Sequence, residues 1–196
     1  YGGSLENRSR FTVELLRKIR EAMGKNFIIE MRVSGEEHIP NGITIDETVE
    51  FCKQVEPYVD LIHVTSGNYY STGRTLTVTT ALVPHGINVE NAAQIKAAVN
   101  VPVTVVGGIN SPEFAEQAIA EGKVDMVTLA RQLIADPNFA NKAQNGQEDR
   151  IRRCIRCGRC YPGPPGEHET ERKGNGMPKL GTCTINPYDV WPASHH

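Results

Sequence analysis

The stretch Pro102-Val-Thr-Val-Val-Gly107-Gly108-Ile-Asn-Ser-Pro112-Glu113 decides the fold. A short β-branched run breaks into two glycines. It is followed by a cap residue, a proline suited to the first turn of a helix, and an acid near that helix's positive end. The same unit recurs on both sides. Downstream, Gly122 closes the helix and Asp125-Met-Val-Thr-Leu129 forms the next apolar run, ending in Ala130-Arg131. Upstream, Asp60-Leu-Ile-His-Val-Thr65 precedes a helical stretch at about 88–99, and Phe27-Ile-Ile-Glu-Met-Arg-Val33 precedes another at about 45–56 that Thr44 can cap and Pro57 ends. A first helix over 8–23 carries Phe11, Leu15, Ile19 and Ala22/Met23 at helical spacing and stops at Gly24.

The pattern is a helix followed by four strand–helix units. Aliphatic strands separated by helices predict an α/β fold with a parallel sheet and right-handed crossovers. An open doubly wound sheet and part of a (β/α)8 barrel both fit. Four units make half a barrel, which leaves two unpaired edges and an open apolar interior. The long connection over 66–87, rich in Gly, Ser, Thr and Tyr, reads as a functional or disordered loop.

The remaining signal is Cys154-Ile-Arg-Cys157-Gly-Arg-Cys160, with Cys183 beyond a Gly- and Pro-rich loop. This spacing fits iron–sulfur ligation. It also admits zinc, although the shared middle cysteine crowds a tetrahedral site, and a thiol–disulfide relay. Arg150, Arg152, Arg153, Arg156 and Arg159 surround the triad and are placed to offset thiolate charge. The fifth cysteine, Cys52, lies alone in an amphipathic segment and reads as a small buried hydrophobe.

Ligands of parallel α/β folds collect at the C-terminal strand ends. Arg32, Gly107, Gly108, Ala130 and Arg131 lie there. Two glycines let the backbone approach an anion, and an arginine can pair phosphate oxygens. Gly-Gly alone is equally a tight turn. Arg32 is either half of a structural ion pair or a charge aimed at a bound ring; His63 reads as a core histidine.

Charge and composition exclude several classes. The 196 residues carry a formal net charge of -2, which offers no nucleic-acid or membrane field. No apolar run approaches the roughly 20 residues that span a bilayer. An odd cysteine count without a secretory leader argues against a disulfide framework and predicts a cytoplasmic setting. The chain opens in a polar stretch without an initiator Met and reads as part of something longer.

Tyr1-Gly-Gly-Ser-Leu-Glu-Asn-Arg8, Met31-Arg-Val-Ser34, Val106-Gly-Gly-Ile109, Asp125-Met-Val-Thr-Leu-Ala-Arg131, Ala135-Asp-Pro137 and Cys154-Ile-Arg-Cys157 come in that order. Together with Cys183-Thr-Ile-Asn-Pro187 they resemble the old yellow enzyme (NADH:flavin oxidoreductase) family, and within it the iron–sulfur branch that includes 2,4-dienoyl-CoA reductase, 2-enoate reductase and trimethylamine dehydrogenase. The resemblance implies a TIM barrel of which this chain supplies strands five to eight over 1–149, followed by a cysteine-rich segment over 150–196. It implies FMN held by Arg32, Gly107, Gly108, Ala130 and Arg131, and a [4Fe-4S] cluster held by Cys154, Cys157, Cys160 and Cys183. It further implies NAD(P)H as donor to the full-length enzyme and an enoate, enone or acyl-CoA as small-molecule substrate, with amine dehydrogenation as the alternative. The missing first half of the barrel is then the principal partner, and the proton donor lies in that half. A half-barrel that self-associates without catalysis is the reading from a different class.

Overall fold

The structure, a computed structural model, describes residues 1–68, 78–160 and 183–186. The middle of the 66–87 connection and most of the Cys160–Cys183 loop therefore lie outside the described residues. The chain divides into two compact units, Tyr1–Ile109 with Glu113–Thr128, and Asn110–Pro112 with Leu129–His196.

The first unit runs α1 (Leu5–Met23), β1 (Glu30–Ser34), α2 (Ile45–Val55), a 3-10 turn (Glu56–Tyr58), β2 (Leu61–Thr65), α3 (Val89–Lys96), β3 (Val103–Val105), α4 (Pro112–Ala120) and β4 (Met126–Val127). Helix starts follow local chemistry. Ser4 Oγ accepts from Asn7 N at 3.3 Å at the start of α1. Thr44 and Glu47 close a reciprocal capping box at the start of α2. The four strands are parallel in the order β1-β2-β3-β4, with Arg32 opposite His63 and His63 opposite Thr104. A doubly wound sheet reverses its strand order at a switch point. This sheet does not reverse, and its order is that of consecutive barrel staves.

Register assigns the two faces. Met31, Ile62, Val64, Val103 and Val105 alternate to one side and are buried, as are Cys52 and Val55 of α2 and Ala92 and Ile95 of α3. Each such aliphatic side chain contributes about 1.5–3 kcal/mol on burial. The opposite face was expected to be an open apolar interior and is largely polar instead. It carries Glu30, Arg32, His63, Thr65, Thr104 and Thr128, joined by His63–Glu30 (2.7 Å), Arg32–Thr65 (3.3 Å) and Thr104–Thr128 (2.9 Å) contacts. A second difference concerns α1. The helix forms where the spacing of Phe11, Leu15, Ile19 and Ala22/Met23 predicts it, but Phe11, Leu15 and Met23 are exposed. The helix buries Ser9 and Leu16 and meets α2 through Ser9 Oγ to Gln54 Oε1 (2.6 Å) and the Arg8–Glu47 ion pair. Polar contacts, rather than the stripe, set its rotation.

One device is used twice at the strand starts. Val59-Asp60 and Val124-Asp125 bury the valine and turn the carboxylate back on the preceding strand. Asp60 accepts from Ile29 N (2.8 Å) and pairs with Arg20 (2.5 Å). Asp125 accepts from Val103 N (2.8 Å) and pairs with Lys96 (2.9 Å). The Ile29 N–H and the Arg20 guanidinium hold Asp60 below its ordinary 3.8. For Asp125, burial pulls upward, and the Lys96 ammonium and Val103 N–H outweigh it, so the value is again lowered.

In the second unit, α5 (Arg131–Ala135) and α6 (Phe139–Gln144) are followed by a 3-10 turn (Glu148–Arg150) and the cysteine segment. Gln132 is fully buried; its Nε2 donates to Arg152 O (3.0 Å) and its Oε1 accepts from Cys154 N (2.8 Å). One turn on, the fully buried Asp136 accepts from Arg152 N (2.9 Å), Lys142 Nζ (2.6 Å) and Asn138 N (3.1 Å). These bonds join 129–149 to the cysteine segment within the second unit.

Two outcomes follow from this bonding. A carboxylate with a depressed folded value binds fewer protons folded than unfolded, so its contribution is complete above 3.8 and is lost as pH falls through the folded value. Denaturant midpoints are expected to be level down to about pH 5 and to fall below that; the Asp60→Asn/Asp125→Asn double variant should start lower and fall less steeply. Gln132→Ala leaves Cys154 N–H and Arg152 C=O without their partner and is expected to cost about 1–3 kcal/mol in denaturant unfolding. The exposed Gln144→Ala should leave stability unchanged; equal effects of the two would contradict the assignment.

Candidate functional site

In the second unit Cys183 joins the closely spaced Cys154, Cys157 and Cys160. Cys154, Cys157, Cys160 and Cys183 line one pocket together with Arg131 and Arg156. All four are free thiols. Gln132 fixes the Cys154 N–H, and Asn110 Nδ2 donates to its carbonyl at 2.9 Å. The backbone N–H of Arg156 points at Cys154 Sγ at 3.4 Å. The Cys183 segment is tied to α5 by buried Asn186, whose Nδ2 donates to Ile134 O at 2.7 Å. Thr184 lies 3.2 Å from Cys157 Sγ through its hydroxyl.

The thiols are not equivalent. Hydrogen bonding from Thr184, then from the Arg159 backbone N–H, holds Cys157 below the ordinary 9.0. Burial raises Cys160 above it, with the Arg131 charge opposing and Cys154 and Cys183 reinforcing the rise. Cys52 is isolated in the other unit, and desolvation pushes it up to about 12, as an inert core thiol requires. Among the described residues no group of three or more His, Cys, Asp or Glu side chains is placed to hold a metal ion.

The remaining expected site residues divide between the units. Gly107 and Gly108 follow β3 in the first, with φ of +147° and +68°. Asn88 Nδ2 donates to Val106 O at 2.5 Å, and Gly86 N donates to Gly107 O at 2.9 Å. A Cβ at Gly107 would lie 2.7 Å from Asn88 Nδ2, so only glycine fits this turn. Arg32 is exposed, with Nη2 donating to Thr65 Oγ1 at 3.3 Å, and has no acidic partner among the described residues. His63 is buried on the polar sheet face, with Nδ1 2.7 Å from Glu30 Oε1. Ala130 and Arg131 begin α5 in the second unit, where Arg131 lines the cysteine pocket. Sequence reasoning gave no specific role to Asn88, Asn110, Gln132 and Thr184, all of which act through hydrogen bonds rather than through pattern.

Residues 1–150 match the NADH:flavin oxidoreductase / NADH oxidase family. The chain is 43% identical over 162 residues to an NADH oxidase of Thermoanaerobacter brockii, an alignment covering 80% of this chain and 24% of that protein. It superposes on a 2-naphthoyl-CoA reductase in complex with 2-naphthoyl-CoA with a TM-score of 0.75 and 34% identity, covering 81% of this chain and 24% of the other. Histamine dehydrogenase from Rhizobium sp. 4-9 gives a TM-score of 0.72 at 33% identity, covering 82% and 23%. The chain thus spans about a quarter of the length of the proteins it matches. No helix among the described residues is long and apolar enough to cross a membrane. The parallel sheet without a reversal, the Gly107-Gly108 turn after β3 and the extended match place this chain in the NADH:flavin oxidoreductase / NADH oxidase family.

Proposed function

We propose that this chain is the second half of the barrel of an FMN- and [4Fe-4S]-containing oxidoreductase that takes electrons from NAD(P)H and acts on an activated C=C bond of an enoate, enone or acyl-CoA thioester. The observation that carries the reading is the convergence of all four cysteines on one pocket beside two guanidinium groups. A thiolate-bound cluster is anionic and wider than a single ion. Its charge would be offset by the Arg131 and Arg156 guanidinium groups that line the pocket with the four thiols. Cys154, Cys157, Cys160 and Cys183 would be its ligands. Gly107 and Gly108, both at positive φ after β3, would present backbone N–H groups to the phosphate of FMN. Ala130 and Arg131 would complete the phosphate site. Arg32 would face the flavin pyrimidine edge and stabilise negative charge there. When bound, FMN supplies hydride transfer and an iron–sulfur cluster supplies single-electron transfer.

Amine oxidation is the second reading, favoured by the similarity to histamine dehydrogenase. Substrate assays of the full-length protein with an enoyl thioester and with an amine separate the two. The proton donor and much of the flavin site would belong to the first half of the barrel, so the chain by itself is expected to be inactive.

The anaerobically purified chain is expected to show broad thiolate-to-iron absorption, matching iron and acid-labile sulfide, and no flavin bands. Cys157→Ala should lose the iron. Stoichiometric zinc in place of iron, or unchanged iron in Cys157→Ala, would contradict the assignment.

A further inference from the structure

Helix α1 has three faces where a surface helix has two. One is turned to the rest of the first unit: Ser9 and Leu16 are buried, and Arg20 bonds Tyr58 O and the Asp60 carboxylate. A second is charged and exposed, with Arg10, Glu14, Lys18 and Glu21, the last paired to Arg17. The third is apolar. Phe11, Leu15, Ile19 and Met23 follow one another four residues apart, and Ala22 lies beside them. Phe11 is 61% exposed, Leu15 44% and Met23 48%. Tyr1 meets Phe11 edge-on at a ring separation of 6.2 Å and extends the patch. A helix that already has a charged solvent face gains nothing from a second one made of aromatic and aliphatic side chains.

The neighbouring helices show what such a face does in this fold. α2 follows β1, leads into β2 and buries Thr48, Cys52 and Val55. α3 leads into β3 and buries Val89, Ala92 and Ile95. A right-handed crossover lays each helix across both strands that it joins. α1 leads into β1, which is the outermost strand of the described sheet. The described sheet therefore supplies only one of the two strands that a helix in this position bridges.

We propose that the Phe11, Leu15, Ile19 and Met23 stripe is the docking surface for one β-strand of the barrel's first half. That strand precedes α1 in the full-length protein, pairs parallel to the outer edge of β1 and turns alternate apolar side chains against the helix. The partner is recognised by its chemistry: a short extended segment with apolar residues at every second position, as Met31, Ile62, Val64, Val103 and Val105 provide on the helix side of the described strands. The chain spans about a quarter of the length of the proteins it matches, which leaves ample sequence to supply such a strand. The inference rests on the half-barrel reading above and adds the surface on which the two halves join.

The test is anaerobic maleimide labelling of single cysteine substitutions, followed by peptide mass spectrometry, in the full-length protein and in the 196-residue chain. Phe11→Cys, Leu15→Cys and Ala22→Cys probe the stripe; Glu14→Cys and Lys18→Cys probe the charged face of the same helix. Ala22→Cys is nearly isosteric and carries the test where the larger truncations disturb packing. In the full-length protein the stripe positions are expected to label about tenfold or more slowly than positions 14 and 18, because a covered thiol reacts only through local opening. In the 196-residue chain all five are expected to label alike. Equal rates at the stripe and the charged face of the full-length protein overturn the proposal. So does protection of the stripe in the 196-residue chain that is lost on dilution, which makes a second copy the occupant. Flavin and iron contents of the same full-length samples report on the functional reading separately. A protected stripe in a protein without flavin or iron overturns that reading and supports this surface; an unprotected stripe in a protein loaded with both overturns this surface alone.

Discussion

Gln132 gives the cysteine site its shape. A single buried amide donates to Arg152 O and accepts from Cys154 N, so it reads the backbone on both sides of residue 153. Asp136, one turn further on, binds Arg152 N and Lys142. Breaking a buried pair of this kind costs about 3–5 kcal/mol, because the remaining charge has no water to turn to. Together these two side chains fix where the cysteine segment leaves α5–α6. Asn186 returns the Cys183 end to the carbonyl of Ile134 on the same short helix. Both arms of the four-thiol set are therefore referenced to five residues of α5, and this lets Cys183 share one pocket with the triad.

The first unit uses a related solution. Asp60 and Asp125 each bind the N–H that opens the preceding strand and a cation from the helix that leads into it or into its neighbour. In both units a carboxylate at an element boundary joins sequence-distant backbone. Parallel sheets need such joints because their strands are never linked by tight hairpins.

The fold was legible because its signals are local and repeated. Aliphatic runs ending in Gly or Ser, a capping Thr44 and the Pro112 start of α4 each specify an element by themselves, and the structure adds the strand order that discriminates barrel staves from a doubly wound sheet. The four cysteines were legible as a set because thiols at close spacing are rare. Less was legible where hydrogen bonds decide. Nothing in periodicity marks Gln132 as buried or predicts that α1 would bury Ser9 and leave Phe11 exposed. The polar sheet face was obscured because His63 and Thr104 sit within runs that read as apolar. Arg131 was assigned to a phosphate from its place after the last strand, and the structure additionally gives it a place among the thiols, where it opposes the rise at Cys160.

The central proposal is that Cys154, Cys157, Cys160 and Cys183 hold a multi-iron group rather than one ion. X-ray absorption spectroscopy of the anaerobically purified protein at the iron and zinc edges tests it most directly. The account predicts iron with an all-sulfur first shell and a distinct iron–iron distance. A single zinc or iron centre without metal–metal scattering would contradict it.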